Sequence, residues 1–293
     1  MSWHGTPELL GAKVTTVDPR DVFQGVVLIT VPHMDDEVLA CGGTIARLPE
    51  KERIHLIYAT DGMKAPEPVL PWCDSVSPEL GAIRRRESLS AMVLLGVPQE
   101  NIHFLNLPEG RLERNQERLL LGISELIGRI NPNHILMPFR YDRHRDHIAL
   151  NRVVTAASLR ALDHVQLSEY FVYYRWRLLP KRDVRKYIHT GCMLQVNIGE
   201  VSARKRAALD CFKSQTTRFY PWQARPNLTP KLLDEVSNDP ELFLRFNPSL
   251  PGASVFNRSV MWIRLAHRLE SPLKRAKDRV VAVWRRVFAR TVH

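Results

Sequence analysis

Apolar and polar positions along this chain fall into blocks whose period changes from one to the next. Residues 26–31, Val-Val-Leu-Ile-Thr-Val, form a short β-branched run, which predicts a buried parallel strand. A helix is predicted over 36–48, with Gly42 and Gly43 inside it. Two glycines weaken a helix, so their placement there predicts a close approach by another part of the chain. Further strands are predicted over 54–59, 102–105 and 134–138, and further helices over 79–95, 112–130 and 146–162. Strands alternating with helices imply an α/β, Rossmann-like fold: a mostly parallel, doubly wound sheet with helices on both faces. Beyond residue 165 the pattern changes. Strands are predicted over 170–176 and 193–198, a helix over 201–212, an irregular stretch rich in proline and asparagine over 216–258, and a basic helix over 272–290. The expected organisation is an N-terminal extension (1–23), a catalytic α/β domain (24–216) and a C-terminal extension (217–293) that is irregular and then helical. Residues 63–78 read as a long proline-rich loop, a feature that in compact domains often shapes a site.

Open α/β sheets bind ligands beyond the carboxyl ends of their strands. Two polar clusters fall at such ends. His33, Asp35 and Asp36 follow the first strand; Asp142, His144, Asp146 and His147 follow the strand over 134–138. A parallel sheet brings both to one edge. Two histidines and a carboxylate are a recurrent zinc set, and a catalytic zinc keeps a fourth position open for water. His33 and Asp36 are three residues apart, as are His144 and His147. Amide hydrolysis at such a centre also needs a base, an acid for the leaving amine and a donor for the developing oxyanion. Either cluster alone has a plain structural reading. Asp36 could cap the following helix, and the second cluster could be a solvated helix start. Two such clusters at strand ends of one pattern argue for a site.

At these residues the chain resembles the PIG-L or LmbE-like family of zinc-dependent N-acetylglucosaminyl de-N-acetylases. The family's His-Pro-Asp-Asp-Glu motif appears as His33-Met34-Asp35-Asp36-Glu37, and its Arg-x-x-Glu helix as Arg84, Glu87, Ala91, Leu95 and Gly96. Its Leu-Pro-Asp-Gly turn appears as Leu107-Pro108-Glu109-Gly110, and its Asp-x-His-x-Asp-His motif as Asp142, His144, Asp146 and His147. A late pattern appears as Lys205, Ala208, Ser214 and Gln215. The resemblance implies that His33, Asp36 and His147 hold zinc and that Asp35 is the general base. It implies that His144 polarises the carbonyl or stabilises the tetrahedral oxyanion, with Asp146 setting its orientation and charge, and that Arg84 and Glu109 contact sugar hydroxyls. Two positions depart from the pattern: Met34 replaces proline, and Glu109 replaces aspartate. Neither removes a metal ligand or the base. The second lengthens an arm that would face the sugar.

The implied reaction is removal of the N-acetyl group from an N-acetylglucosamine-type sugar or glycoconjugate, including lipid-linked ones in glycan biosynthesis. Iron or cobalt could replace zinc, because affinity alone does not select the metal. Two readings compete: a related amidase for a non-sugar amide or thiol conjugate, and an anion- or membrane-binding module with a structural metal.

The four cysteines, Cys41, Cys73, Cys192 and Cys211, form no Cys-x-x-Cys pair, which excludes a paired-cysteine zinc site by spacing and fits a reducing cytoplasm. The N-terminal residues lack a basic start followed by an apolar run, so no signal peptide is expected. The net charge of +11 points to an acidic partner. Nine Lys/Arg against two acids lie in residues 262–293, with Leu273, Ala276, Val280, Trp284, Val287 and Phe288 at helical spacing. Such a helix either packs its stripe on the domain or lies on an anionic membrane at its inner face. No nucleic-acid-binding signature accompanies the charge.

Overall fold

The computed structural model describes residues 14–65, 76–161, 164–176, 178–221, 223, 225–246, 254–257, 260–266 and 268–269. The helix expected over 272–290, and most of the proline-rich loop, lie outside the described residues.

The strand Val27–Val31 is buried at every position. Its side chains still alternate between two cores. Val27, Ile29 and Val31 join one cluster, and Leu28 joins another. A strand apolar on both faces is what helices on both sides of a parallel sheet require. In chain order the elements are β1 (Thr15–Val17), α1 (Pro19–Val22), β2 (Val27–Val31), α2 (Asp36–Arg47), β3 (Ile54–Thr60), α3 (Pro78–Leu95), β4 (Ile102–Leu107), α4 (Gln116–Ile130), β5 (His134–Pro138), α5 (Arg145–Ala161), β6 (Gln166–Tyr170), β7 (Met193–Val196), α6 (Ser202–Leu209), α7 (Lys213–Thr216), α8 (Pro230–Asn238) and β8 (Glu241–Phe246). Helices α2, α3 and α6 cover one face, and α4 and α5 the other. Local signals set several ends. Ser77 caps α3, accepting a hydrogen bond from Leu80 N, and Gly96 stops the helix in the left-handed region at φ +86°.

The sheet has eight strands in the order β1-β7-β8-β6-β5-β2-β3-β4. All described pairs are parallel except those of β8, which is antiparallel to β6 and β7. From β2 the chain runs outward to β3 and β4. It then returns to place β5 on the other side of β2 and goes on to β6. The reversal makes the β2–β5 crevice the topological switch point, where ligands bind in such sheets. The mostly parallel α/β architecture expected from the sequence is borne out.

The edges of the sheet hold the differences. Strand β6 ends at Tyr170, where a strand over 170–176 was expected. Tyr174 and Trp176 leave the sheet and bury in a third cluster with Phe256 and Ile263. The segment 216–258, expected to be irregular, holds α8 and β8. Pro230 opens α8 after the Thr229 cap, and Asn238 ends it. Strand β1 comes from the expected N-terminal extension and pairs with β7. Strands from all three expected segments therefore share one sheet.

Gly43 shows why α2 carries a glycine pair. A Cβ there would stand 2.3 Å from Ile198 Cγ2, so the residues after β7 approach α2 too closely for any side chain. No helix among the described residues is long and apolar enough to cross a membrane.

Candidate metal centre

Chain reversal at the switch point brings the segment after β2 against the segment after β5. His33 Nδ1, Asp36 Oδ2 and His147 Nε2 form a near-equilateral triangle. The two histidine nitrogens are each 3.1 Å from the carboxylate oxygen and 3.2 Å from each other. Ligand atoms of a tetrahedral zinc, bonded at 2.0–2.1 Å, stand about 3.3 Å apart. The three residues therefore fit a divalent ion with little rearrangement.

The remaining ring nitrogens strengthen that fit. His33 Nε2 lies 3.2 Å from Asp146 Oδ2, and His147 Nδ1 lies 3.3 Å from Asp142 Oδ2. A metal-ligating histidine almost always has its other nitrogen on a carboxylate or carbonyl, which fixes the ring and raises its basicity. Asp142 stood in the sequence motif but had no expected role. Its signal was there, yet spacing alone does not say which ring it backs. The nitrogens of His33, His144 and His147 also lie within 4.8 Å of one another, a looser set.

The Asp146 carboxylate has further partners. It accepts from Gly110 N at 2.5 Å and Leu112 N at 3.1 Å, besides facing His33. Gly110 is in the left-handed region at φ +77°, which turns its amide toward that carboxylate. Asp146 meets His144 through its backbone: its N–H donates to His144 Nδ1 at 3.3 Å. The carboxylate thus faces His33 and the 110–112 turn, and its charge acts on the His144 ring. Burial, followed by the charges of His33 and His147, holds His144 well below the usual histidine range. A neutral ring that accepts at Nδ1 carries its proton on Nε2. His144 is thus a hydrogen-bond donor beside the triangle, its ring edge-on to His33 with centroids 4.4 Å apart.

Asp35 occupies the N-cap position of α2 yet makes no capping bond, and its φ is +133°, a strained value for a non-glycine residue. Both sides of the Met34–Asp35 peptide are held. Arg84 Nη2 donates to Met34 O at 3.1 Å, and Asp35 N donates to Glu37 Oε2 at 3.0 Å. Burial, reinforced by the charge of Asp36, pushes Asp35 up to about 7. The metal pair titrates the opposite way: burial opposes ionisation of Asp36, but His147 and His33 outweigh it and hold Asp36 well below the usual carboxylate range.

Arg84 and Glu109 lie together behind this peptide. Arg84 is only 4% exposed, and its Nη1 donates to Glu109 Oε2 at 3.0 Å. Glu109 also accepts from Lys64 N, and its own amide donates to Asp61 Oδ1. Both Nη groups of Arg84 are engaged within the protein, so these bonds position Asp35 and the 107–110 turn. Tyr173 was missed by the sequence reading. Its amide donates to Asp142 Oδ2 at 3.2 Å, and its ring centroid is 5.6 Å from that of His147. Nothing in its local pattern distinguishes it from its aromatic neighbours.

The electrostatics carry a testable consequence. Burial lowers the pKa of His33, but its hydrogen bonds to Asp146 and Asp36 outweigh that and raise it to about 9. His147 is likewise raised, by Asp142 and Asp36 against burial. Both rings therefore hold protons at pH 7, and a metal must displace them. Metal binding near pH 7 is expected to release about two protons and to weaken steadily as pH falls below about 9. Calorimetry in two buffers of different ionisation enthalpy reads the proton count directly. No release would show that the rings are not the ligands.

The PIG-L family model, described as GlcNAc-PI de-N-acetylase, matches residues 28–158. The resemblance drawn from the motifs is borne out over that segment. Among curated proteins, a glucosamine-6-phosphate deaminase-like protein of Bacteroides thetaiotaomicron is 28% identical over 185 residues, covering 47% of this chain and 27% of that protein. This chain thus spans about a quarter of that relative's length. Among solved structures, the N,N'-diacetylchitobiose deacetylase of Pyrococcus horikoshii superposes with a TM-score of 0.54 at 20% identity, covering 82% of this chain and 89% of that one. GalB, the 4-carboxy-2-hydroxymuconate hydratase of Pseudomonas putida KT2440, superposes equally well, with a TM-score of 0.54 at 15% identity over 78% of this chain and 98% of that one. The fold thus hosts more than one reaction, and the chemistry has to be argued from the site.

Proposed function

We propose that this protein is a divalent-metal-dependent amide hydrolase that removes the acetyl group from the nitrogen of an N-acetylglucosamine-type sugar or glycoconjugate. One observation carries the reading: three ligand-type atoms at tetrahedral spacing, each imidazole backed by its own carboxylate. The match to a GlcNAc-PI de-N-acetylase family and the likeness to a diacetylchitobiose deacetylase support the amide and the amino sugar. His33, Asp36 and His147 would hold the ion, with zinc the best match to two imidazoles and a carboxylate, and iron or cobalt alternatives. The ion would supply Lewis acidity and a water of lowered pKa.

The protein's own groups do the rest. Asp35, held near neutrality by burial, takes a proton from the attacking water. His144 Nε2–H donates to the acetamide oxygen as negative charge develops there. Asp35 then returns its proton to the leaving nitrogen, giving acetate and a free amine. Arg84 and Glu37 keep the Met34–Asp35 peptide in the orientation this requires. A lipid-linked glycoconjugate would reach such an enzyme at the inner face of a membrane.

An amine-release assay on a panel of N-acetylated sugars tests the proposal. Amine should appear with at least one N-acetylglucosamine derivative, vanish with chelator and return with added zinc. Activity that survived complete metal removal would overturn it.

A further inference from the structure

Strand β6 ends at Tyr170, and three residues later Tyr173 lies against the metal centre. Its ring centroid is 5.6 Å from that of His147, with the two planes tilted by 47°. The neighbours Val172 and Tyr174 are buried, whereas Tyr173 is 43% exposed. Its hydroxyl has no hydrogen-bond partner among the described residues. A tyrosine packed by its ring usually finds a partner for its polar end. Here that end is left over, beside a site.

One carboxylate ties the residue to the rest of that site. Asp142 Oδ2 accepts from Tyr173 N at 3.2 Å and faces His147 Nδ1 at 3.3 Å. Its Oδ1 accepts from His144 N at 2.9 Å. A single buried group thus fixes a candidate ligand ring and the backbones of His144 and Tyr173.

The surroundings of the hydroxyl give its direction. Burial, then the charges of Asp36, Asp35 and Asp142, raises it well above the usual phenol range, against the opposing charge of Arg84. Asp36 and Asp35 act on it more strongly than Asp142, although Asp142 holds the residue's own amide. The hydroxyl therefore points away from its anchor, toward Asp36 and Asp35. His144 has other neighbours. Beyond burial, the charges of His33, His147 and Asp146 act on it most, and its ring is edge-on to His33. The two side chains flank the ligand triangle, His144 beside His33 and Tyr173 beside His147.

We infer that Tyr173 is a further catalytic residue, its hydroxyl donating to the amide oxygen of the tetrahedral intermediate together with His144 Nε2–H. Donors held in place before charge develops are the main source of stabilisation in acyl transfer. A phenol is protonated at neutral pH, so Tyr173 donates a hydrogen bond and keeps its proton. Shielding of His147 would need the ring alone and would leave the hydroxyl idle. The inference rests on the amide-hydrolase reading.

Tyr173→Phe removes one oxygen and keeps the ring on His147. On an N-acetylated sugar that the parent hydrolyses, its kcat should fall about a hundredfold, the usual effect of losing one oxyanion donor, with KM within about threefold. Metal uptake and thermal midpoint should match the parent. A binding measurement needs no turnover. The methylphosphonamidate of glucosamine carries a tetrahedral phosphoryl group in place of the planar acetyl group. The metal-loaded variant should bind it about a hundredfold more weakly than the parent does, and should bind glucosamine equally well. A kcat and a phosphonamidate affinity both within about threefold of the parent would overturn the inference. So would a raised KM with kcat intact, which marks a contact made equally in the ground state. Loss of metal along with the hydroxyl would overturn it too, making Tyr173 a support for His147. Each of these results leaves the hydrolase reading standing. A parent that neither releases amine nor binds the phosphonamidate would remove that reading, and the inference with it.

Discussion

An Asp35→Asn variant is expected to keep its metal and lose about a hundred- to ten-thousand-fold in kcat, the usual contribution of a positioned general base. Asparagine has nearly the same shape as aspartate and tolerates positive φ better than most residues, so the strained backbone at +133° is not made worse. Asp35 caps no helix amide through its side chain, so no hydrogen bond of α2 is lost. What goes is the carboxylate, which burial and the negative charge of Asp36 push up to about 7. A cation held by His33, Asp36 and His147 would pull it back toward ionisation. With metal in saturating excess, activity of the parent should therefore rise with pH on its acid limb, where Asp35 sheds its proton, and the variant should lose that limb. Metal analysis and thermal unfolding of the variant should match the parent. A kcat within tenfold of the parent would remove Asp35 from the reaction.

The second large effect is on stability and lies away from the chemistry. Glu241 opens β8 and is buried. Its carboxylate accepts from Gly43 N and Thr44 N, both at 2.7 Å, and from Lys205 Nζ at 2.8 Å. Lys205, also buried, donates in addition to Leu39 O at 3.0 Å. One ion pair thus joins α2, α6 and β8 across the face of the sheet. Deleting one partner of a buried pair costs about 3–5 kcal/mol, because the other charge is left uncompensated. Glu241→Ala should therefore lower the thermal midpoint by roughly 10 °C in a domain of this size. Here the loss extends to two amides in the middle of α2. Circular dichroism melts would read it. A shift of only a degree or two would mean that water or a neighbour takes over the role of Glu241.

The same pair shows where sequence reading stopped. Lys205 was visible as part of a late family pattern, and Gly42-Gly43 as a point of close packing. The close packing is there: Gly43 lies against Ile198, and the buried Lys205 lies against Gly42. The partner was not visible. Glu241 follows Asp239-Pro240 within a stretch rich in proline and asparagine, and only its place between β6 and β7 makes it central. An antiparallel strand inserted in a parallel sheet has no local signature, because its neighbours come from distant parts of the chain.

Sequence by itself determined the α/β alternation and the residue types at the site. Hydrophobic period is a local property, and ligand motifs are short enough to be read in one dimension. It placed His33, Asp35, Asp36, His144 and His147 at strand ends, and the sheet brought them together. Tertiary structure decided what each group faces. Asp146 turns its carboxylate to His33, 113 residues away, and leaves His144 to its backbone amide. Asp142 backs His147, and Arg84 clamps the peptide before Asp35. Those assignments depend on which side chains meet across the β2–β5 crevice. Spacing along the chain carries no record of that meeting, because the order in which strands enter a sheet is set by packing of the whole domain.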